Sequence, residues 1–335
     1  MGVNMTELER IAAVYRRGRL EFCPHPYTSF SRHRTGRHWS RWADGIVGDE
    51  STPTVVCIGG STTEGGNPHG DRGRYPFLLR EKLKQGLNRE VAVFNGGVSG
   101  WTSAESLCAY FLEYQDFDAD VLLIHHAIND VGPMWLDHFD VDYTHYRKPM
   151  TPVDTGGIEG WFVRNSRLFV HLGGYASMLN INELTTKQGE PGRRWVSELS
   201  QEARDTFVRN LESIGRSAEA KGARVGLLTM PGSLEYLGQE MADALELNNE
   251  LVRECAMQND WLLIDLSLAF REVAPEFHAE QFLDGVHLTP KGNASKAHWV
   301  AMALYEDGAF DEQAADPVVA LEANAQLTPR KGDDE

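Results

Sequence analysis

The sequence is poor in cysteine and contains no long apolar run. Its 335 residues include four cysteines, Cys23, Cys57, Cys108 and Cys255, which lie far apart and form no Cys-x-x-Cys pair. This density is too low for a secreted disulfide scaffold, so we expect buried thiols in a reducing compartment. No segment approaches the roughly 18 apolar residues of a membrane span. The first residues also lack the apolar stretch of a secretory signal, so the sequence predicts a cytoplasmic protein with no membrane span.

Basic residues are in the minority. Lysine and arginine number 32 against 49 aspartates and glutamates, which gives a formal net charge of -17. Nucleic acids and anionic membranes require a basic face that replaces condensed counterions. The charge balance therefore argues against nucleic-acid and membrane partners and is compatible with a neutral or cationic small molecule. Apolar residues make up 41% of the chain and charged residues 24%, which is typical of a soluble globular protein with a sizeable core.

Five short runs of branched apolar residues recur along the chain and predict strands at residues 54–58, 91–95, 121–126, 224–230 and 261–266. Helical patterns separate them at residues 75–87, 103–115, 198–221, 239–258 and 290–304. The strand runs are continuously apolar rather than alternating, as expected when helices cover both faces of a parallel sheet. The sequence therefore predicts an α/β fold with three layers, α/β/α, around a five-stranded parallel sheet.

Two regions depart from this alternation. Residues 131–195 are too long for a simple connection and carry several aromatic side chains, among them Trp135 and Trp161. We interpret them as a lid-like, substrate-binding insertion with Trp135 and Trp161 as candidate contacts. Residues 307–335 are acidic and weakly apolar, which predicts a flexible tail. We expect residues 1–50 to be an extension that packs on the core, and residues 51–306 to form the main domain.

A serine lies where the first predicted strand of this domain ends. Residues 59–66 are Gly-Gly-Ser-Thr-Thr-Glu-Gly-Gly, a turn that is expected to open a helix. Open α/β sheets bind ligands at the carboxyl ends of their strands, and a nucleophilic serine requires such a position. A small-residue turn of this kind is equally typical of a phosphate cradle or an ordinary tight turn. Ser61 is therefore a candidate nucleophile that needs support from other residues.

An Asp-x-x-His pattern near the other end of the chain supplies that support. Asp284 and His287 follow the last predicted strand and precede the last predicted helix. A carboxylate three residues before a histidine can hold one ring nitrogen, which leaves the other nitrogen to act as general base for a serine. The pattern also occurs by chance, so the combination with Ser61 carries the argument.

Two further loops follow the second and third predicted strands of the main domain. Gly97 lies in the segment Asn-Gly-Gly-Val-Ser-Gly and can offer a bare backbone amide. Asn129 lies in the segment Ala-Ile-Asn-Asp and can offer its side-chain NH2. Fixed donors of these two kinds form oxyanion holes, although turn chemistry explains either residue when it is taken alone.

Taken in order, these four segments resemble the SGNH hydrolase superfamily, also called GDSL-like lipases and acylhydrolases. The resemblance covers about residues 24–304, with a first block of the Gly-Gly-Ser-Thr-Thr type and with Ala127 where glycine is usual. It implies a flavodoxin-like fold and a serine esterase that forms an acyl-enzyme and needs no metal or organic cofactor. Matched block by block, Ser61, Asp284 and His287 are the catalytic triad. Ser61, Gly97 and Asn129 then form the oxyanion hole.

Other interpretations stay open. An acyltransferase would use the same triad, and a non-catalytic binding module would keep the same fold. A nucleotide-phosphate binder is disfavoured, because the chain lacks the P-loop lysine and a Gly-x-Gly-x-x-Gly pattern. A metal site that includes the adjacent His125 and His126 is also disfavoured, since neighbouring side chains on a strand point to opposite faces. The sequence does not choose among acetylated sugars, short-chain esters, thioesters and lysophospholipids as substrates, nor does it fix the oligomeric state.

Overall fold

The computed structural model describes residues 22–25, 29–32, 51–65, 73–147, 194–273 and 280–310. Within these ranges, no helix combines the length and the apolar character that crossing a bilayer requires. Strands β1 (Phe22–His25) and β2 (Ser29–Arg32) form an antiparallel pair. This pair lies in the N-terminal extension, for which the sequence predicted no strand. The expected packing of the extension on the core stays a prediction.

The main sheet has five parallel strands in the order β4-β3-β5-β6-β7. These are β3 (Thr54–Gly59), β4 (Ala92–Gly97), β5 (Val121–His125), β6 (Arg224–Leu228) and β7 (Leu262–Ile264). The prediction of a five-stranded parallel sheet is confirmed, although β6 and β7 are shorter than expected. Gly59 pairs with Gly97 on one side and with His125 on the other. The carboxyl ends of the three strands β3, β4 and β5 are therefore level, and the segments that follow them start from one edge.

Helices cover both faces of the sheet. In β3, Val56 and Ile58 belong to one apolar cluster, while Val55 and Cys57 belong to another. This alternation is the period of two that a strand imposes on its side chains. In the described residues the helices are α1 (Ser61–Glu64), α2 (Tyr75–Leu87), α3 (Ser103–Leu112), α4 (Ile128–Trp135), α5 (Gln201–Glu219), α6 (Leu234–Leu237), α7 (Gln239–Gln258), α8 (Leu266–Arg271) and α9 (Pro290–Glu306).

The two apolar clusters divide these helices into the outer layers of a three-layer α/β/α fold. The first cluster contains buried residues of α3, α5 and α7, and the second contains buried residues of α2, α8 and α9. Cys57 and Cys255 are buried free thiols, as expected, whereas Cys108 is only half-buried. The helix predicted at residues 103–115 ends at Leu112 and is followed by a 3-10 turn over Tyr114–Asp116.

A helix extends into the region that the sequence predicts as an insertion. Helix α4 runs to Trp135, and its residues Val131 and Met134 are buried. An isolated antiparallel bridge then joins Leu136 to Trp195, and the amide of Val196 donates to the carbonyl of Trp135 at 2.9 Å. Residues near the two ends of the predicted insertion are therefore joined to each other. Most of the insertion, including Trp161, lies outside the described residues, as does the tail beyond residue 310.

Candidate active site

The candidate nucleophile lies on a single helical turn directly after β3. Helix α1 starts at Ser61, is preceded by the extended residue Gly60, and ends at Gly65 with a left-handed φ of 67°. Glycine adopts this conformation without the strain that a β-carbon introduces. The predicted turn from strand to helix is present, but the helix is only four residues long. Ser61 itself is half-buried, while the three residues after it are buried.

The structure brings Ser61, His287 and Asp284 into one line of hydrogen bonds. Nε2 of His287 lies 2.7 Å from Oγ of Ser61, across 226 residues of sequence. Nδ1 of His287 lies 2.7 Å from Oδ2 of Asp284 and 3.0 Å from Oδ1. With the Nδ1–H tautomer, the carboxylate orients the ring and Nε2 is free to accept the serine proton.

The Asp284 carboxylate is held by its own loop. Its Oδ1 accepts hydrogen bonds from the backbone amides of Val286 at 3.0 Å and His287 at 2.9 Å. Partial burial acts to raise the pKa of Asp284, but these two amides and the His287 ring outweigh it and hold the pKa below its usual value. The carboxyl is therefore ionised at neutral pH. It also remains open to water, because 57% of the side chain is exposed.

Asn129 lies against the nucleophile turn. Its Nδ2 donates to the carbonyl of Trp101 at 2.8 Å. A β-carbon placed on Gly60 would lie 2.5 Å from the same Nδ2, which shows how closely the Asn129 side chain approaches the backbone before Ser61. The neighbouring Asp130 fastens this region, since its carboxylate accepts from the amide of Ser103 at 3.0 Å and from its hydroxyl at 2.6 Å.

The structure corrects the prediction for Gly97. Its amide donates to Oδ1 of Asn95 at 3.0 Å, so this N–H is already engaged and is not a free oxyanion donor. Glycine is required there for a different reason. A β-carbon on Gly97 would lie 2.2 Å from the amide nitrogen of Glu64 and 2.7 Å from the carbonyl carbon of Thr63. Gly97 therefore allows β4 to pack closely against α1.

Gly100, three residues later, has the features that were expected of Gly97. It is half-buried and has a left-handed φ of 79°. The amides of the adjoining residues Val98, Ser99 and Trp101 donate to Gly59 O, Glu64 Oε2 and Val98 O. Among the described residues, no acceptor is recorded for the amide of Gly100. The sequence contained a weak signal for this, because a second glycine follows in the same loop.

Several buried charged residues around the site were missed by the sequence analysis. The side chain of Glu64 on α1 accepts from both the amide and the hydroxyl of Ser99. Glu105 caps α3 together with Thr102, in a Thr-x-x-Glu pattern that was readable in the sequence. Arg147 and Lys296 are buried as well, and no local pattern marks them.

The structure describes only one of the two candidate substrate contacts. Trp135 lies six residues after Asn129 on α4, about 9 Å further along the helix axis, and packs against the apolar core. Trp161 lies outside the described residues. The substrate role of both tryptophans stays a prediction.

The adjacent histidines point to different partners, as the strand geometry predicted. His126 lies 2.8 Å from the Ser106 hydroxyl, and His125 lies 3.0 Å from Nζ of Lys296. Burial lowers the pKa of both rings, that of His126 to about 3, so both are neutral. Within the part of the chain that the structure describes, no group of three potential metal ligands occurs.

Comparison with known proteins gives a family and a fold. The family model described as the GDSL-like Lipase/Acylhydrolase family matches residues 57–294. Comparison with curated protein sequences gives no match. The chain is similar to the crystal structure of a lipase/acylhydrolase from Enterococcus faecalis, with 17% identity, a TM-score of 0.50, and coverage of 76% of this chain and 97% of that one.

It is also similar to the acetylxylan esterase Axe2 from Geobacillus stearothermophilus, with 16% identity, a TM-score of 0.46, and coverage of 79% and 97%. The similarity to the Enterococcus faecalis structure, at 17% identity, shows the fold alone. The family is shown by the model that matches more than half of the chain. The chain belongs to the GDSL-like lipase/acylhydrolase family and is a hydrolase of carboxylic ester bonds.

Proposed function

We propose that the protein is a serine esterase that cleaves its ester through an acyl-enzyme on Ser61. The observation that carries this proposal is the line from Ser61 Oγ to His287 Nε2 and from His287 Nδ1 to Asp284, with 2.7 Å at each step. In this arrangement, Nε2 removes the hydroxyl proton while Oγ attacks the ester carbonyl. The Asp284 carboxylate stabilises the imidazolium that forms. His287 then protonates the departing alcohol, and water attacks the acyl-enzyme by the same route in reverse.

The negative charge that develops on the carbonyl oxygen requires fixed donors. We assign this role to the amide of Ser61, the amide of Gly100 and the second Nδ2 hydrogen of Asn129, which replaces the sequence-based assignment of Gly97. Three observations support the assignment. Asn129 donates one Nδ2 hydrogen to the carbonyl of Trp101, which leaves the second for a ligand. It closely approaches Gly60. The amide of Gly97 is engaged by Asn95. Each donor of this kind contributes roughly 2.7–4 kcal/mol to lowering the barrier.

We further propose that the insertion shapes the acyl or alcohol pocket, because it leaves the same helix that carries Asn129. The substrate is a small-molecule ester, and its chemical class stays open among the four named above. The cytoplasmic location stays a prediction. Replacing residues 148–193 by a short linker should change the preference among esters, and an unchanged substrate profile would contradict this part of the proposal.

The triad is tested by hydrolysis of p-nitrophenyl esters, from acetate to octanoate. Ser61→Ala and His287→Ala should each lower kcat by several orders of magnitude, since loss of a triad member costs up to about 10⁶-fold. Ser106→Ala, which removes a buried hydroxyl that lies 2.8 Å from Nε2 of His126, is the matched control and should retain activity. Activity that survives Ser61→Ala would refute the nucleophile assignment. Product analysis with an added alcohol acceptor distinguishes hydrolysis from acyl transfer.

A further inference from the structure

A buried ion pair lies directly behind the loop that carries Gly100. Arg147 and Glu105 have side chains that are 8% and 5% exposed. Nε of Arg147 donates to Oε1 of Glu105 at 2.5 Å, and Nη2 donates to Oε2 at 3.0 Å. This is the bidentate geometry in which an arginine and a carboxylate fix each other most firmly. The pair joins α3 to the segment that follows α4.

The same guanidinium also holds the loop. Nη2 of Arg147 donates to the carbonyl of Gly100 at 2.7 Å. Two residues later, the amide and hydroxyl of Thr102 donate to Oε2 of Glu105 at 2.7 and 2.5 Å. Arg147 and Glu105 therefore fix both ends of residues 100–102. On the other side, Ser99 is held by Glu64.

We propose that Arg147 is a positioning residue that holds Gly100 in the conformation in which its amide points to the oxyanion. This inference rests on the proposed function, in which Gly100 is a donor. Gly100 has a φ of 79°, and a glycine samples other backbone conformations at little cost. Its geometry must therefore be imposed by its neighbours. A donor that is displaced by a fraction of an ångström loses much of its effect on the transition state.

Through its position in the chain, Arg147 links the segment after α4 to the loop that carries Gly100. Residues 136–147 follow the helix that carries Asn129 and belong to the described part of the predicted insertion. Arg147 in this segment thus contacts Gly100, the second proposed donor. Helix α4, which precedes the segment, carries Asn129, the third proposed donor. The sequence separation of 47 residues between Arg147 and Gly100 hides this connection from any local pattern.

The test compares Arg147→Met with the double variant Glu105→Gln plus Arg147→Met. The double variant avoids leaving a buried carboxylate without its partner, and glutamine retains the capping geometry of α3. Arg224→Met is the matched control, because Arg224 makes an equally bidentate pair with Asp307 at 2.6 and 2.7 Å, at the amino end of β6. The measurements are kcat, KM and the pH profile with a p-nitrophenyl ester, and hydrogen exchange of residues 99–102.

Both Arg147 variants should lower kcat by about 10- to 100-fold, with KM within about threefold, since the donor acts mainly in the transition state. The midpoint of the pH profile should not move, because the three residues of the proposed triad are unchanged in both variants. Exchange in residues 99–102 should become faster, and Arg224→Met should change none of these quantities. If both neutral variants fail to fold, Arg147→Lys replaces them, because lysine keeps the charge but cannot bridge Glu105 and Gly100 in the same way.

Unchanged kcat in folded Arg147 variants would overturn the inference, and so would a raised KM with normal kcat, which indicates a substrate contact. The proposed function fails separately, if the wild-type protein hydrolyses no ester or if Ser61→Ala remains active. In that case hydrogen exchange still decides whether Arg147 holds the loop. If residues 99–102 exchange at the same rate in the Arg147 variants as in the Arg224→Met control, Arg147 does not hold the loop.

Discussion

Replacing Lys296 by methionine is expected to remove a pH-dependent penalty on the stability of the fold. Lys296 lies on α9 and is fully buried. Its Nζ donates to the carbonyl of Thr62 at 3.1 Å and to Nδ1 of His125 at 3.0 Å, and lies 4.1 Å from the centre of the Tyr75 ring. Burial lowers the pKa of Lys296 to about 7, and the nearby Cys57 acts weakly against this.

The number of protons bound by the folded and the unfolded chain decides how the free energy of unfolding changes with pH. An unfolded chain has a lysine pKa of about 10.4, so above pH 7 the unfolded state binds a proton that the folded state has released. The free energy of unfolding therefore rises with pH. For a folded pKa of about 7, the rise between about pH 7 and pH 8.5 is on the order of 1.5 kcal/mol. Lys296→Met has no amine to titrate, so the variant should lack this rise. Its free energy of unfolding should exceed that of the wild type by the largest amount below pH 7.

Two buried thiols limit the pH range over which the free energy of unfolding of the wild type rises. Burial raises the pKa of Cys57 and of Cys255 to about 12, so the unfolded chain loses thiol protons that the folded protein keeps. This lowers stability as the pH approaches the unfolded thiol value of about 8.5 and beyond. Both cysteines remain in the Lys296 variant. Their effect therefore cancels when the two proteins are compared.

The assay is urea unfolding at several pH values between about 6 and 8.5, with tryptophan fluorescence as the signal. Lys291→Met is the control, since Lys291 lies on the same helix and is 54% exposed. The control should reproduce the wild-type slope of stability against pH. If Lys296→Met kept that slope, the titrating group would be another residue, and the argument from burial would be refuted.

Two further changes test the geometry of the site. Asp284→Ala should lower kcat by less than His287→Ala in the ester assay, because the exposed side of the imidazole can be hydrated when the carboxylate is removed; equal losses would contradict this. Gly60→Ala should lower kcat by about 10²-fold or more, since the added β-carbon would lie 2.5 Å from Nδ2 of Asn129 and displace a proposed oxyanion donor. A Gly60→Ala variant with wild-type kcat would show that Asn129 is not such a donor.

The sequence determined the fold class, because its signals are local and repeated. Continuous apolar runs of strand length alternate with helical patterns, and only a parallel sheet covered on both faces accommodates that order. The bounds predicted for the helices Tyr75–Leu87 and Gln239–Gln258 agree with the structure. The N-terminal strand pair was not predicted, since four-residue strands provide too short a pattern to recognise.

The sequence was also sufficient to propose the triad, because Asp284 and His287 are separated by only three positions and Ser61 follows a predicted strand. Tertiary structure decided which backbone donors are free. Gly97 ends β4 and Gly100 follows it by three residues, and the position of the Asn95 side chain shows that the amide of Gly97 is engaged. The same holds for Arg147, whose partners lie 42 and 47 residues away. Hydrogen-bond partners and burial depend on which distant segments the fold brings together, and a local pattern carries no information about them.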